Sequence, residues 1–270
     1  MSRRSTPPGH SSFAERHARE TARRLVLSMG IDRPEHIRIE DIAWAQGLRI
    51  VEGGLSGAAA RLTLREGRGV IRLREGDGQT PRGRFSVGHE VGHFLLHQGK
   101  MGSCSDEDME NFHSDGSVEA QANVFSAELL APEFICRPFC ARGEPSFEMA
   151  RDIGRVFSIS LTAASLRLIE LSPEPCALIF VENQRIKWFR AGDSFKVWLN
   201  VAGPPHKASL VARMLRGAHV DGPEVVDPSC WLDDDRPLGD AELVEDVVHM
   251  TRLKAALVLL HLDGWEDPED

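Results

Sequence analysis

Residues 89–93 read His-Glu-Val-Gly-His, and two histidines four apart serve one purpose only if the chain around them is helical. On an α-helix, positions i and i+4 share a face, so His89 and His93 can aim their imidazoles at one point with Glu90 beside them. The flanking residues predict that helix. Thr80-Pro81 offers an N-cap followed by proline at the first helical position, and apolar Phe85, Gly88, Val91, Gly92 and Leu95 keep one face until Gly99. The pattern predicts one helix over 81–98. Gly88 and Gly92 each cost ~1 kcal/mol relative to alanine inside a helix, so their presence predicts close packing against a neighbour.

The chemistry of this pair suits zinc, whose catalytic sites take three protein ligands and leave one position for water. Glu90 is then the candidate general base. His97 continues the stripe, but it lies about 12 Å along the axis from His89 on an unbroken helix, too far for one ion with bonds near ~2 Å. His97 is therefore read as structural or as an outer neighbour of the metal. The long H-E-x-x-H-x-x-G-x-x-H pattern fails as well, because Leu96 and Gly99 occupy its last two places. The third ligand is sought on a second helix, predicted over 117–131 and closed by Pro132. There Glu119 and Asn123 share a face, the first able to ligate and the second able to hydrogen-bond a ligating histidine. Glu128 and the acids at 106–110 fit the role less well.

The stretches RFSVGHEVGHFLLH and EAQANVFSAELLAP together resemble the ImmA/IrrE family of zinc metallopeptidases. That resemblance implies His89, His93 and Glu119 as zinc ligands and Glu90 as catalytic base. It departs from the family pattern at Ser126, where alanine is usual, and at Ala131, where methionine is. It further implies a mainly helical, zincin-like peptidase domain with a helix-turn-helix-like segment and a GAF-like sensor domain after it. The implied substrate is a helix-turn-helix transcriptional repressor, cut to derepress a stress, DNA-damage or phage-defence operon, as in the CapP-like group of relatives.

The rest of the chain is read to match. Residues 1–10 are expected to be a disordered tail, and 11–172 the peptidase domain, with helices near 13–29 and 39–46. Strands at 48–52, 58–64 and 69–74 form a small antiparallel sheet whose last member is a candidate edge for a substrate strand. Helices at 146–157 and 160–171 make the helix-turn-helix-like pair. The two prolines of Leu171-Ser172-Pro173-Glu174-Pro175 mark a linker. Beyond it, 173–270 reads as an α+β domain with strands in CALIFVE, RIKWFR, FKVWLN, AELVEDVVHM and LKAALVLLHL and a helix within 206–217. The fold class is thus α+β throughout.

Charge and composition narrow the partners. The net charge of −9 argues against a general nucleic-acid coat, yet residues 1–84 hold 16 arginines against 10 acids. A basic N-terminal part could meet single-stranded DNA as an activator, with a small ligand in the C-terminal domain as the alternative. The N-terminus has no apolar signal-like run and no stretch suits a membrane span, so a cytoplasmic protein without a membrane partner is expected. Five cysteines without CxxC spacing agree with a reducing compartment. One of them, Cys104, lies between the two metal helices and is a candidate inhibitory fourth zinc ligand. The chain has no tyrosine, so oxyanion support falls to a residue such as His113. Two other functions remain open at this point: a DNA-binding regulator with a structural zinc, and an antitoxin acting through protein contacts.

Overall fold

The computed structural model describes residues 12–55, 59–65, 68–97, 117–233 and 238–265. The expected tail at 1–10 and the 100–116 segment lie outside them. Contacts divide the chain into two compact units, His10–Cys136 with Gly154–Ser160 and Arg137–Ile153 with Leu161–Asp270. Both mix helices with sheet.

In the first unit, helix α1 (Phe13–Ser28) opens with a capping box in which Ser12 and Glu15 satisfy each other's backbone N–H groups. Of the residues at helical spacing, Phe13, Ala14, Ala18, Ala22, Leu25 and Val26, the last four form its buried stripe, while Phe13 is 80% exposed. Helix α2 (Ile39–Ala45) leads into strands β1 (Leu48–Gly53), β2 (Ala60–Arg65) and β3 (Arg68–Arg74). The strand order is β1-β3-β2, with β1 parallel and β2 antiparallel to β3. Two expectations are corrected here: the sheet is mixed rather than antiparallel, and β3 is its central strand, leaving β2 as an edge. Alternation of apolar residues fixes which face is buried, and it is the same for every order of the three strands. β3 lies between the other two strands and pairs with both.

Helix α3 (Pro81–Leu96) starts where predicted, with the Thr80 side chain accepting from the Gly83 N–H at 3.0 Å. Helix α4 (Val118–Leu130) is capped by Ser117 in the same way. The two pack against each other, and the glycines of α3 make this possible. A Cβ on Gly88 would lie 2.5 Å from Ser126 Oγ, and one on Gly92 would lie 3.0 Å from the Phe125 ring. The Ser126 hydroxyl donates to the Phe85 carbonyl at 2.8 Å. Contacts pair the start of α3 with the end of α4, so the helices run antiparallel. On its other side α4 meets α1, where Arg19 faces buried Glu128 at 3.5 Å. Glu128 also accepts from the backbone of Glu133, the first residue of helix α5 (Glu133–Cys140). That short helix carries Pro138 and was not anticipated.

Two further helices are α6 (Phe147–Phe157) and α7 (Leu161–Leu171), with Ser158 between them at a positive φ of 54°. In the second unit, β4 (Cys176–Glu182), β5 (Arg185–Ala191), β6 (Glu224–Val225), β7 (Glu242–Met250) and β8 (Ala255–Asp263) form an antiparallel sheet of order β5-β4-β8-β7-β6. Its central strand β8 is buried from Ala255 through Leu262. Neighbouring acids on β7 project to opposite faces. Glu245 accepts from the backbones of Leu210 and Val211, at the start of helix α8 (Leu210–Leu215), and from Trp231 Nε1. Asp246 accepts from the Phe147 backbone at 2.8 Å. The predicted strand FKVWLN is not one. Phe195, Val197 and Leu199 are buried alternately, but the segment makes a single bridge, Leu199 to Leu232. An extended segment laid on a core shows the same period as a paired strand. The helix expected within 206–217 is confined to Leu210–Leu215.

The α3–α4 contact predicts the outcome of a small substitution. Gly88→Ala gains ~1 kcal/mol of helix propensity but displaces the Ser126 hydroxyl, and overpacking of this kind costs about 1–3 kcal/mol. Urea denaturation is expected to show a net loss of stability. In a Ser126→Ala background that loss should shrink by at least ~0.5 kcal/mol, because the two residues touch.

Candidate metal site

Three side chains converge between α3 and α4. His93 Nε2 lies 2.9 Å from His89 Nε2, His89 Nε2 lies 3.1 Å from Glu119 Oε2, and His93 Nε2 lies 3.4 Å from that oxygen. His89, Glu90 and His93 are buried, whereas the Glu119 side chain is 30% exposed, so the cluster meets solvent on the Glu119 side. The donor set tests well against a metal ion. Tetrahedral zinc with bonds of about 2.0–2.1 Å holds its ligand atoms roughly 3.3 Å apart, close to the three distances found. Two imidazole nitrogens facing each other at 2.9 Å need a proton or a cation between their lone pairs. Among the described residues this is the cluster of His, Cys, Asp or Glu side chains that fits a metal ion.

The surroundings set the donors. Asn123, buried at 1% exposure, offers Oδ1 to His89 Nδ1 at 2.9 Å. A carbonyl oxygen accepts only, so Nδ1 of His89 carries the proton and Nε2 keeps its lone pair. On the far side of His93, its Nδ1 is 3.2 Å from Nδ1 of His97, and His97 Nε2 is 3.3 Å from Gln121 Oε1. His97 thus touches the back of a candidate ligand rather than joining the cluster. Gln121 was missed in the sequence, where nothing in its spacing separates it from an ordinary polar helix position. Proximity to the His89 imidazole, and then to that of His93, holds the Glu119 carboxyl well below the usual carboxylate range.

Glu90 has a different environment. Burial pushes its carboxyl up to about 7, opposed by the nearby His93 imidazole and by a backbone hydrogen bond from Leu62 on the edge strand β2. Glu128, considered for the metal, is committed to Arg19 and the start of α5. Cys104, His113 and the acids at 106–110 lie outside the described residues.

A family model for peptidase M78, described as the IrrE N-terminal-like domain, matches residues 45–168. This chain carries an IrrE N-terminal-like domain. The match spans every residue of the cluster, and it agrees with the resemblance drawn from the two helix motifs. Among solved structures, a Mycobacterium tuberculosis transcriptional regulator is similar, with a TM-score of 0.58 and 12% identity over 91% of this chain and 75% of that one. At that identity the likeness concerns the fold alone. No curated protein matches the chain. Among the described residues no helix is long and apolar enough to cross a membrane.

The raised Glu90 gives a pH-dependent stability in the metal-free protein. Its protonated form is favoured in the fold, so the contribution is complete below the ordinary value of 4.5 and is lost as pH rises through about 7. That loss is about 3 kcal/mol at ~1.4 kcal/mol per pH unit. Glu90→Gln, which stays neutral, is expected to be more stable than wild type at pH 8 by up to that amount and to match it near pH 4. Denaturation of chelator-treated protein at both pH values checks the sign.

Proposed function

We propose that this chain is a zinc-dependent endopeptidase that cuts a helix-turn-helix repressor. The observation that carries the reading is the meeting of His89, His93 and Glu119 around one point with buried Glu90 alongside. His89 and His93 would hold zinc through Nε2 and Glu119 through its carboxylate. When bound, zinc supplies Lewis acidity for a scissile carbonyl and makes water a better acid. Glu90, poised near neutrality, takes a proton from the attacking water and returns it to the leaving amine. Asn123 holds the His89 ring in its ligating orientation. The free edge of β2, whose Leu62 backbone already reaches Glu90, is where a substrate strand adds. This replaces the edge expected at β3.

The rival reading, a regulator with a structural zinc, calls for closure by four protein ligands. Among the described residues three donors meet, one of them a partly exposed carboxylate, and this supports the catalytic reading. Residues 173–270 are read as a GAF-like sensor, supported by the antiparallel sheet that has helices α7 and α8 packed on it.

An anionic activator such as single-stranded DNA has a candidate surface. The outward positions of β1, β2 and β3 include Arg49, Arg61, Arg72 and Arg74 with Val51, Val70 and Thr63, and no acid. Trp44, 65% exposed, lies with the Arg49 guanidinium 5.5 Å from its ring centroid, pairing a stacking surface with charge. Four phosphate contacts to a single strand give a slope of about −3 in log K against log salt. Arg49→Glu with Arg72→Glu is expected to remove binding of an oligonucleotide, and a salt-independent affinity would refute the surface.

Cleavage itself is tested by mixing the full chain with repressors encoded in the same genome, with and without single-stranded DNA. Wild type should cut one of them, chelation should stop it, zinc should restore it, and Glu90→Gln should lower the rate by at least ~100-fold. Equal cleavage by wild type and Glu90→Gln would overturn the mechanism.

A further inference from the structure

Beyond the cluster, a line of hydrogen bonds runs from the cap of α4 to the nitrogen of His93 that faces the cluster, and each link in it has only one sense. Gln121 Nε2 lies 3.2 Å from the Ser117 backbone carbonyl. That oxygen can only accept, so the amide is oriented with its nitrogen toward Ser117 and its Oε1 toward His97. Oε1 in turn only accepts, so His97 places its proton on Nε2, 3.3 Å away. A neutral His97 then has its lone pair on Nδ1. The facing Nδ1 of His93, at 3.2 Å, is the donor. With its proton held there, His93 presents a bare Nε2 to His89 and Glu119.

We infer that His97 and Gln121 are positioning residues that fix the tautomer of His93 through this relay, and so prepare a ligand nitrogen before any metal arrives. The inference rests on reading the cluster as a metal site. The partner of a ligating imidazole is ordinarily a carboxylate, a backbone carbonyl or water. A second imidazole is different, because its own acceptor must be specified by another group. Here Gln121 does this, and Gln121 is oriented by the residue that caps its helix. The same first turn of α4 carries Glu119, so the turn that supplies one ligand also sets the protonation of another. His89 is treated separately, by Asn123 from one turn further along. Both imidazoles are thereby given the tautomer that leaves Nε2 free.

Packing alone predicts a different order of variants from the relay, which makes the two separable. His97 is buried at 7% exposure, so a packing role would be met best by an apolar residue of similar bulk. The relay requires an acceptor at the position of Nδ1, which the Oδ1 of asparagine occupies from the same backbone. Zinc dissociation constants of the full chain, measured at fixed pH by competition with a chelating fluorophore, should rise 10- to 100-fold for His97→Leu. His97→Asn should stay within about 3-fold of wild type, even where denaturation shows it to be the less stable of the two. Gln121→Leu, on a half-buried position that leaves His97 in place, should fall between them. In the wild type, imidazole 15N shifts should show His97 protonated at Nε2 and bare at Nδ1. Tight zinc binding by His97→Leu, or a His97 proton on Nδ1, would overturn the relay while leaving the metal site intact. Failure of the wild type to bind zinc would instead overturn the site and the relay with it.

Discussion

The structure depends on how closely α3 and α4 approach. Each helix by itself is a capped amphipathic segment with no chemistry beyond its side chains. Gly88 and Gly92 remove the Cβ atoms that would meet Ser126 and Phe125, and the gap they close sets the distance from His89 to Glu119 and Asn123. Nitrogen and oxygen donors about 3 Å apart on two helices require that approach to be held within a few tenths of an ångström, since metal–ligand bonds tolerate little error. The hydroxyl of Ser126, bonded to the Phe85 carbonyl, fastens the start of α3 to α4. At the other end of the same helix pair, His97 and Gln121 do so through the relay.

The site holds groups that would not be stable there on their own account. Buried Glu90 is kept where a charge is costly, and opposed imidazole nitrogens have no mutual attraction. What offsets this is the core beneath: the stripe of α1 against α4, the buried strand residues Ile71 and Leu73, and Phe125 between the helices. A rigid, apolar support with a few poorly compensated polar groups at one end is the usual physical form of a reactive centre. The partly exposed Glu119 marks the side of the cluster that meets solvent.

Sheets behave differently from the helix pair. In the C-terminal unit, Glu245 and Asp246 sit side by side on β7 and cap helices on opposite faces of one sheet. Burial holds both carboxyls above their ordinary values, and the N–H donors oppose it only in part. Their neighbours in sequence are ordinary strand residues, and no local pattern distinguishes a solvated acid from one that closes a helix end. The same limit explains FKVWLN, whose alternation was real as burial and false as pairing, and the order β1-β3-β2, which alternation cannot encode.

The sequence alone determined what depends on neighbours along the chain. Thr80-Pro81 and Ser117 start the two site helices because a cap and a fixed φ act within one turn. The i, i+4 spacing places His89 with His93 and Glu119 with Asn123, and the glycines announce a close contact without naming its partner. The resemblance to the ImmA/IrrE family rests on these same residues. Only the tertiary structure decided which helix face meets which, because that choice depends on the summed packing of residues far apart in sequence. It brought Gln121 to His97, assigned Glu128 to Arg19 and α5 rather than to the cluster, and put β2 instead of β3 at an edge of the sheet, beside Glu90. The motif fixed the kind of chemistry the helices can hold, and the packing fixed the distances that chemistry requires.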